Sequence, residues 1–160
     1  MRSSLEHAIQ LRHDGRPQEA LQELHQLLQH RPDDPDVNYQ TAWTYDSMGE
    51  ESKAVPHYEA ALANGLMHDR EGAMLGLGST YRCLGQYQKS RALLDRAVEE
   101  FPQNRALRVF RAMTLHNLGE HEGAVQELLL LLLETSSDGS IRSYEKALRF
   151  YSDKLSQTWD

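Results

Sequence analysis

The sequence predicts an all-α fold in which helix hairpins repeat along the chain. Three observations favour it. Glycine and proline are sparse among the 160 residues, at 10 and 5, whereas turn-rich β folds use more of both. Ala, Leu, Glu, Gln and Arg are frequent, and all of them form helices readily. Finally, Gly15, Gly49, Gly85 and Gly119 recur at spacings of 34, 36 and 34 residues, which indicates a repeated unit.

Two columns of small residues fall into register when the chain is aligned on these glycines. Seven residues before each glycine stand Ala8, Ala42, Gly78 and Ala112. Five residues after each glycine stand Ala20, Ala54, Ser90 and Ala124. Small side chains are needed where the two helices of a hairpin cross closely. Both columns therefore predict one helix hairpin around each glycine.

Helix boundaries follow from capping residues and breakers. Asp34-Pro35 and Asn104 are predicted N-caps, because Asp and Asn accept hydrogen bonds from the first free N–H groups of a helix. Two extra residues within 64–70 predict a longer loop, and Pro56 is predicted to bend its helix. The predicted helices are 3–14, 17–30, 35–48, 51–64, 70–84, 87–100, 104–118 and 121–135.

The segment after residue 136 is predicted to be one more helix. Apolar residues recur there in steps of three or four, namely Ile141, Tyr144, Leu148, Tyr151 and Leu155. We expect this segment, residues 137–160, to cap the array by burying its apolar face against Leu128 to Leu133. The alternative is that the same face is a dimerisation surface.

The repeated pattern resembles the tetratricopeptide repeat (TPR). The third copy matches the family's signature best, through Met74, Leu77, Gly78, Tyr81, Leu84, Gly85, Ser90, Leu94, Ala97 and Pro102. The resemblance implies four repeats, at about 1–34, 35–70, 71–104 and 105–136. It also implies that the antiparallel hairpins stack in a right-handed superhelical solenoid.

Composition limits the expected partners and compartment. The net charge of −7, with acidic and basic residues interspersed, disfavours nucleic acid as a partner. A single cysteine, Cys83, is typical of a reducing compartment. The N-terminal residues have no apolar signal-peptide core, and the longest apolar run, Leu128 to Leu133, is too short to span a membrane. We expect a cytoplasmic protein without membrane contact.

Catalytic and metal-binding motifs are missing from the sequence. It has no nucleophile elbow, no phosphate-binding loop, no His-Glu-x-x-His and no Cys-x-x-Cys. Eight histidines are present, but they are scattered. His116 and His121 are five residues apart across the turn at Gly119, a spacing that matches no metal motif. We therefore expect no catalytic residues, no cofactor and no metal site, so the chain is predicted not to be an enzyme.

A partner-binding surface follows from the resemblance, because in TPR proteins the first helix of each hairpin lines the concave face. The corresponding positions are Leu5, Ile9 and Arg12 in the first repeat, Tyr39, Trp43 and Asp46 in the second, Leu75, Ser79 and Arg82 in the third, and Val109, Met113 and His116 in the fourth. Aromatic residues, methionine and arginine are enriched where proteins meet. Such a groove suits an apolar or amphipathic helix of a partner protein.

Two alternatives stay open at this point. Tyr39 and Trp43 could pack between neighbouring repeats as core residues instead of facing a ligand. The protein could also be a structural scaffold that associates with itself, for example as a homodimer, through the groove or the Leu-rich last hairpin. The preferred function is a protein-interaction module that acts as an adaptor, assembly factor or chaperone-like factor.

Overall fold

A computed structural model describes residues 4–160, and these form ten α-helices without a strand. The helices are α1 (Ser4–His13), α2 (Pro17–His30), α3 (Pro35–Ser47), α4 (Glu51–Ala63), α5 (Arg70–Cys83), α6 (Tyr87–Glu100), α7 (Arg105–Asn117), α8 (His121–Thr135), α9 (Gly139–Ser143) and α10 (Glu145–Tyr151). The predicted all-α class is confirmed. Each of the first eight helices lies within one residue of its predicted bounds, and α4 runs unbroken through Pro56.

The four repeating glycines lie in the short turns that follow α1, α3, α5 and α7. Their φ angles lie between 72° at Gly49 and 81° at Gly119, in the left-handed region where a side chain would be strained. The residue after each glycine donates its N–H back to a carbonyl five residues earlier, as Glu120 does to Leu115 at 2.9 Å. This is the hydrogen bond that closes a helix C-terminus around a glycine. The glycine register therefore reflects a shared backbone requirement.

Helices α1 to α5 form a compact unit that ends at Gln86. Each helix in it packs against the next, and the first helices of the hairpins, α1, α3 and α5, also lie side by side. The predicted small residues are buried where the helices cross, namely Ala8, Ala20, Ala42 and Ala54. Large core residues of this unit include Leu24 and Val37, which pack with Ala8.

Helices α6 to α10 form a second compact unit that begins at Tyr87. Its core includes Leu94, Ala97, Leu107 and Leu133, all almost fully buried. The small-residue column continues here with Ser90, whose hydroxyl lies 2.9 Å from that of Thr114 on α7. None of the described helices is both long and apolar enough to cross a membrane.

The loop between α4 and α5 is longer than the other interhelical turns, as predicted. Leu66 is fully buried in it and Gly65 has a φ of 79°. Asp69 has a left-handed φ of 54° and accepts a hydrogen bond from the N–H of Gly72, so it caps α5. The hydroxyl of Tyr39 donates to Asp69 at 2.6 Å. This contact attaches the loop to α3.

The C-terminal segment differs from the single helix that was predicted. Tyr144, with φ −105° and ψ 12°, separates α9 from α10, and no described residue after Tyr151 is helical. Because the helix is interrupted, its apolar residues do not share one face. Ile141 and Leu148 are half-buried, whereas Tyr144 is 67% exposed. Tyr151 and Leu155 are also exposed.

The predicted burial of Leu128 to Leu133 is likewise only partial. Leu131 and Leu133 are buried, but Leu128 and Leu132 remain 42% and 41% exposed. The C-terminal segment does contact α8: Arg142 donates to the carbonyl of Leu133 at 2.8 Å. The terminal segment therefore lies against α8, while Leu128 and Leu132 of that helix stay exposed.

The two predicted N-caps have different outcomes. Asp34 is confirmed, since its carboxylate accepts hydrogen bonds from the N–H groups of Asp36 and Val37 at 3.0 and 3.1 Å. Asn104 precedes α7, but its side chain caps none of the described N–H groups of that helix. Asn104 thus occupies the predicted N-cap position with an extended backbone, and only the capping hydrogen bond expected from its side chain is missing.

Candidate partner-binding surface

Trp43 is the most exposed of the tyrosine and tryptophan side chains on α1, α3 and α5. It lies on α3 with 41% of its surface exposed. The Arg12 guanidinium stands over its ring, 4.2 Å from the centroid, and Tyr39 stacks against it with centroids 5.8 Å apart. Two neighbours thus hold the indole in place while part of it faces solvent. A large aromatic side chain held in this way loses little freedom on binding.

Arg12 reaches Trp43 from α1 and is half-buried there. It donates at 3.4 Å to the carbonyl of Gln40 and to the hydroxyl of Thr44, which are long hydrogen bonds. Burial lowers the pKa of the Arg12 guanidinium, although nearby Tyr39 and Tyr58 oppose the change. Its Nη2 atom and the Oε1 atom of Gln40 are buried without a partner among the described residues. The arginine is therefore held mainly by packing.

Tyr39 and Asp46, two predicted ligand-facing residues, instead belong to the interior of the first unit. Tyr39 is only 4% exposed, so it corresponds to the core alternative and not to a contact surface. Asp46 accepts hydrogen bonds from the hydroxyls of Tyr58 at 3.0 Å and Thr80 at 3.2 Å. Burial raises the pKa of the Asp46 carboxyl, and these two hydrogen bonds oppose that rise. Asp46 thus joins α3 to α4 and α5.

The other predicted positions of the first unit are half-buried. Leu5 packs against the core cluster around Leu24, so part of its side chain is buried. The rest of this group is Ile9 on α1 and Leu75, Ser79 and Arg82 on α5. These residues lie on α1 and α5, the two helices that pack beside α3.

In the second unit the predicted positions form an exposed stripe on α7. Val109 and Met113 are 37% and 38% exposed, and His116 is exposed one turn further on. Their spacing of four and three residues places them on one helix face. His116 also contacts His121, the first residue of α8, a pairing for which the sequence offered no motif.

Three polar residues of the first unit hold Arg12 and Asp46 in place, and the sequence did not predict this role for them. Gln40 and Thr44 receive Arg12, and Tyr58 holds Asp46. Gly76 makes room for Tyr58, since a Cβ there would lie 2.6 Å from its hydroxyl oxygen. The sequence shows only that Gln40 and Thr44 lie one helical turn apart on α3. The structure is needed to identify Arg12 as their neighbour.

A histidine–carboxylate pair lies in a cleft between α1 and α2. The His7 ring stands 2.8 Å from the carboxylate of Glu23. The cleft is lined by Ser4, His7, Glu23, Gln26, Leu27 and His30. The His7 side chain is 56% exposed and that of Glu23 31%, and exposed ion pairs contribute little stability. Among the described residues, no group of three or more His, Cys, Asp or Glu could hold a metal.

Comparison with known proteins bears on the fold. Residues 35–155 match the family model described as tetratrico peptide repeat. A search of curated protein sequences finds no match.

Solved structures supply further neighbours. A crystal structure of MamA superposes with a TM-score of 0.74 at 18% identity, covering 92% of this chain and 88% of that one. MamA from Desulfovibrio magneticus RS-1, from residue 41 to its end, gives 0.69 at 16% identity and 99% coverage of both. YrrB, described as a TPR protein with an unusual peptide-binding site, gives 0.75 at 18% identity, covering 95% of this chain and 80% of that one. At these identities the likeness establishes a shared fold.

Proposed function

The chain belongs to the tetratricopeptide repeat family, and on that premise we propose that it is a protein-interaction module binding a segment of a partner polypeptide. The fold it shares with YrrB, a protein described as peptide-binding, is consistent with this role. The observation that carries the proposal is Trp43, a residue that is 41% exposed although two neighbours hold its ring in place. We propose that it acts as an adaptor, assembly or chaperone-like factor and catalyses no reaction.

We define the binding surface as Arg12, Trp43, Leu75, Ser79 and Arg82. Two of its members set it apart from an ordinary solvated helix face. Trp43 offers apolar area, and Arg12 carries a charge that is half-buried against the indole ring. Aromatic anchors beside a desolvated arginine are typical of the residues that dominate binding energy. The partner that fits is an apolar or amphipathic helix, whose apolar side chains recur every three or four residues.

Charge and cysteine chemistry support the remaining parts of the proposal. The chain carries a net charge of −7, which disfavours nucleic acid as a partner because phosphates are repelled. Cys83 is free and exposed on the first unit. An unpaired exposed thiol is typical of a reducing compartment, so we propose a cytoplasmic location.

The proposal is tested with a displayed peptide library selected on the intact protein. Selected peptides should bind Trp43→Ala about thirtyfold more weakly, corresponding to about 2 kcal/mol for a central aromatic anchor. Trp159→Ala is the matched control, since that tryptophan is 53% exposed but lies in the second unit. Circular dichroism of both variants should match the parent protein. Selected peptides that bind Trp43→Ala with unchanged affinity would refute the proposed surface.

Self-association is a second candidate, favoured by a separate observation on α8. Val125, Leu128 and Leu132 are each 41–42% exposed and recur at helical spacing, so they form an apolar stripe without cover. Sedimentation equilibrium over a wide concentration range tests it. If the stripe joins two copies, the mass rises with concentration and Leu132→Lys abolishes the rise, while Gln22→Lys on α2 does not. A constant monomer mass argues against this candidate.

A further inference from the structure

His116 and His121 approach each other across the turn between α7 and α8. Their Nδ1 atoms are 2.9 Å apart, and their ring centroids are 4.7 Å apart with the rings inclined at 55°. Both side chains are exposed. Of two neutral imidazoles at this distance, one nitrogen donates its proton and the other accepts it. For both Nδ1 atoms to bind one ion, each ring must carry its proton on Nε2, so that the ion replaces this hydrogen bond.

The backbone of the turn fixes the distance between the two histidines. Gly119 donates its N–H to the carbonyl of His116 at 3.0 Å, and Glu120 donates to Leu115 at 2.9 Å. The left-handed φ of 81° at Gly119 sets the direction in which the chain enters α8. Since both histidines flank this closed turn, bringing their rings together requires no rearrangement of the main chain.

The spacing of the two nitrogens matches a particular coordination geometry. Imidazole nitrogens bind transition metals at about 2.0–2.1 Å. Two such nitrogens at a right angle around one ion stand about 2.9 Å apart, whereas a tetrahedral angle separates them by about 3.3 Å. Square-planar and tetragonal sites, with right angles, are preferred by Cu²⁺ and Ni²⁺. We propose that His116 and His121 form a two-histidine site for Cu²⁺ or Ni²⁺.

The two carboxylates that flank His121 both have other partners. Glu120 forms an ion pair with Arg91, and Glu122 accepts a hydrogen bond from the hydroxyl of Ser156. The described residues contain no cluster of three or more metal-ligating side chains of the usual types, so the protein supplies two ligands here. Water or a small anion completes the coordination shell. This inference is independent of partner binding at Trp43, which belongs to the first unit.

Two ligands on one ion give a chelate, and this has a measurable signature. Replacing either histidine removes the chelate, so His116→Ala and His121→Ala should each weaken binding at least tenfold. The double variant should be little worse than either single variant, because a lone imidazole retains only weak binding. Affinity should follow Cu²⁺ over Ni²⁺, with Zn²⁺ below Cu²⁺, and should fall on acidification, since protons compete for the nitrogens.

The experiment is calorimetric titration of the intact protein with Ni²⁺, followed by electron paramagnetic resonance of the Cu²⁺ complex. One equivalent of metal and hyperfine structure from two equivalent nitrogens are expected. His7→Ala is the control, because it removes an exposed histidine beside Glu23 in the cleft between α1 and α2. A second control, Cys83→Ser, tests whether the thiol binds the metal. Unchanged Ni²⁺ affinity in the His116→Ala His121→Ala protein would overturn the proposal, as would loss of binding in His7→Ala or Cys83→Ser.

Discussion

Asn38 is almost fully buried on α3, and both polar atoms of its side chain have partners. Its Nδ2 donates to the carbonyls of Pro32 and Asp34 at 2.8 and 3.0 Å. Its Oδ1 accepts from Nδ1 of His57 on α4 at 3.0 Å. A buried amide is tolerated when its hydrogen bonds are satisfied, and it costs free energy when they are not. Asn38 thus joins α3 to the turn after α2 and to α4.

His57 should make the stability of the protein depend on pH. Burial lowers the pKa of the His57 imidazole from its ordinary value of 6.5. As the pH falls below 6.5 the unfolded chain takes up a proton at this site before the folded protein does, so the free energy of unfolding decreases. His57→Gln removes this contribution. The stability lost between about pH 7.5 and about pH 5.5 should therefore be smaller in the variant.

Urea unfolding at the two pH values measures this difference. His13→Gln is the control, because His13 is exposed at the end of α1 and its replacement should leave the pH dependence as it is in the parent protein. If His57→Gln loses as much stability on acidification as the parent, the burial of His57 does not govern this titration.

At the scale of whole elements, the approach of α4 and α5 depends on Gly76. A Cβ at this position would lie 2.6 Å from the hydroxyl oxygen of Tyr58 and 2.7 Å from its ring, well inside van der Waals contact. The hydroxyl of Tyr58 in turn donates to Asp46 on α3. Because Gly76 has no side chain, Tyr58 can pass between α4 and α5 and reach Asp46 on α3.

Gly76→Ala should destabilise the protein, whereas Gly123→Ala should not. In an exposed helix either substitution would gain up to about 1 kcal/mol from helix propensity. At Gly76 we expect a net loss of about 1–3 kcal/mol instead, because Tyr58 must move. At Gly123 a Cβ meets only Leu115, at an ordinary 3.9 Å, so the variant should be as stable as the parent or more so. Thermal unfolding measures both, and a stabilised Gly76→Ala would contradict the proposed packing.

The elements differ in how well sequence predicts them. Helices α1 to α8 could be placed within a residue because glycine, small-residue and proline positions constrain the backbone directly. The C-terminal segment could not, because apolar spacing alone does not reveal that Tyr144 leaves the helical conformation. Capping shows the same limit: Asp34 and Asn104 are similar in sequence, but only Asp34 turns its side chain onto the helix.

The candidate surface was harder to predict than the helices. Tyr39 and Trp43 lie one turn apart on α3 and were indistinguishable from sequence. In the structure Tyr39 is 4% exposed and Trp43 41%, because the hydroxyl of Tyr39 turns inward to Asp69 in the neighbouring loop. That contact joins residues 30 positions apart, and the loop that carries it is specific to this repeat. Long-range hydrogen bonds of this kind have no local sequence signal.

At the scale of the whole molecule, the chain divides into two compact units, each with its own tryptophan. Trp43 lies in the first unit and Trp159 in the second. Trp43 packs with Arg12 and Tyr39, whereas Trp159 contacts Phe150 and Tyr151. The fluorescence of each ring therefore reports on the packing of its own unit. In repeat proteins stability is a sum of local terms and of couplings between neighbours, so different parts need not unfold together.

A core substitution in one unit should consequently affect that unit more than the other. Leu24→Ala removes a side chain that is 1% exposed in the first unit and should cost about 2–5 kcal/mol. In a Trp159→Phe background, the urea midpoint reported by Trp43 should fall markedly. In a Trp43→Phe background, the midpoint reported by Trp159 should fall less. Leu94→Ala, at a fully buried position of the second unit, should reverse the order. Equal shifts of both midpoints in both variants would mean that the chain unfolds as one cooperative body.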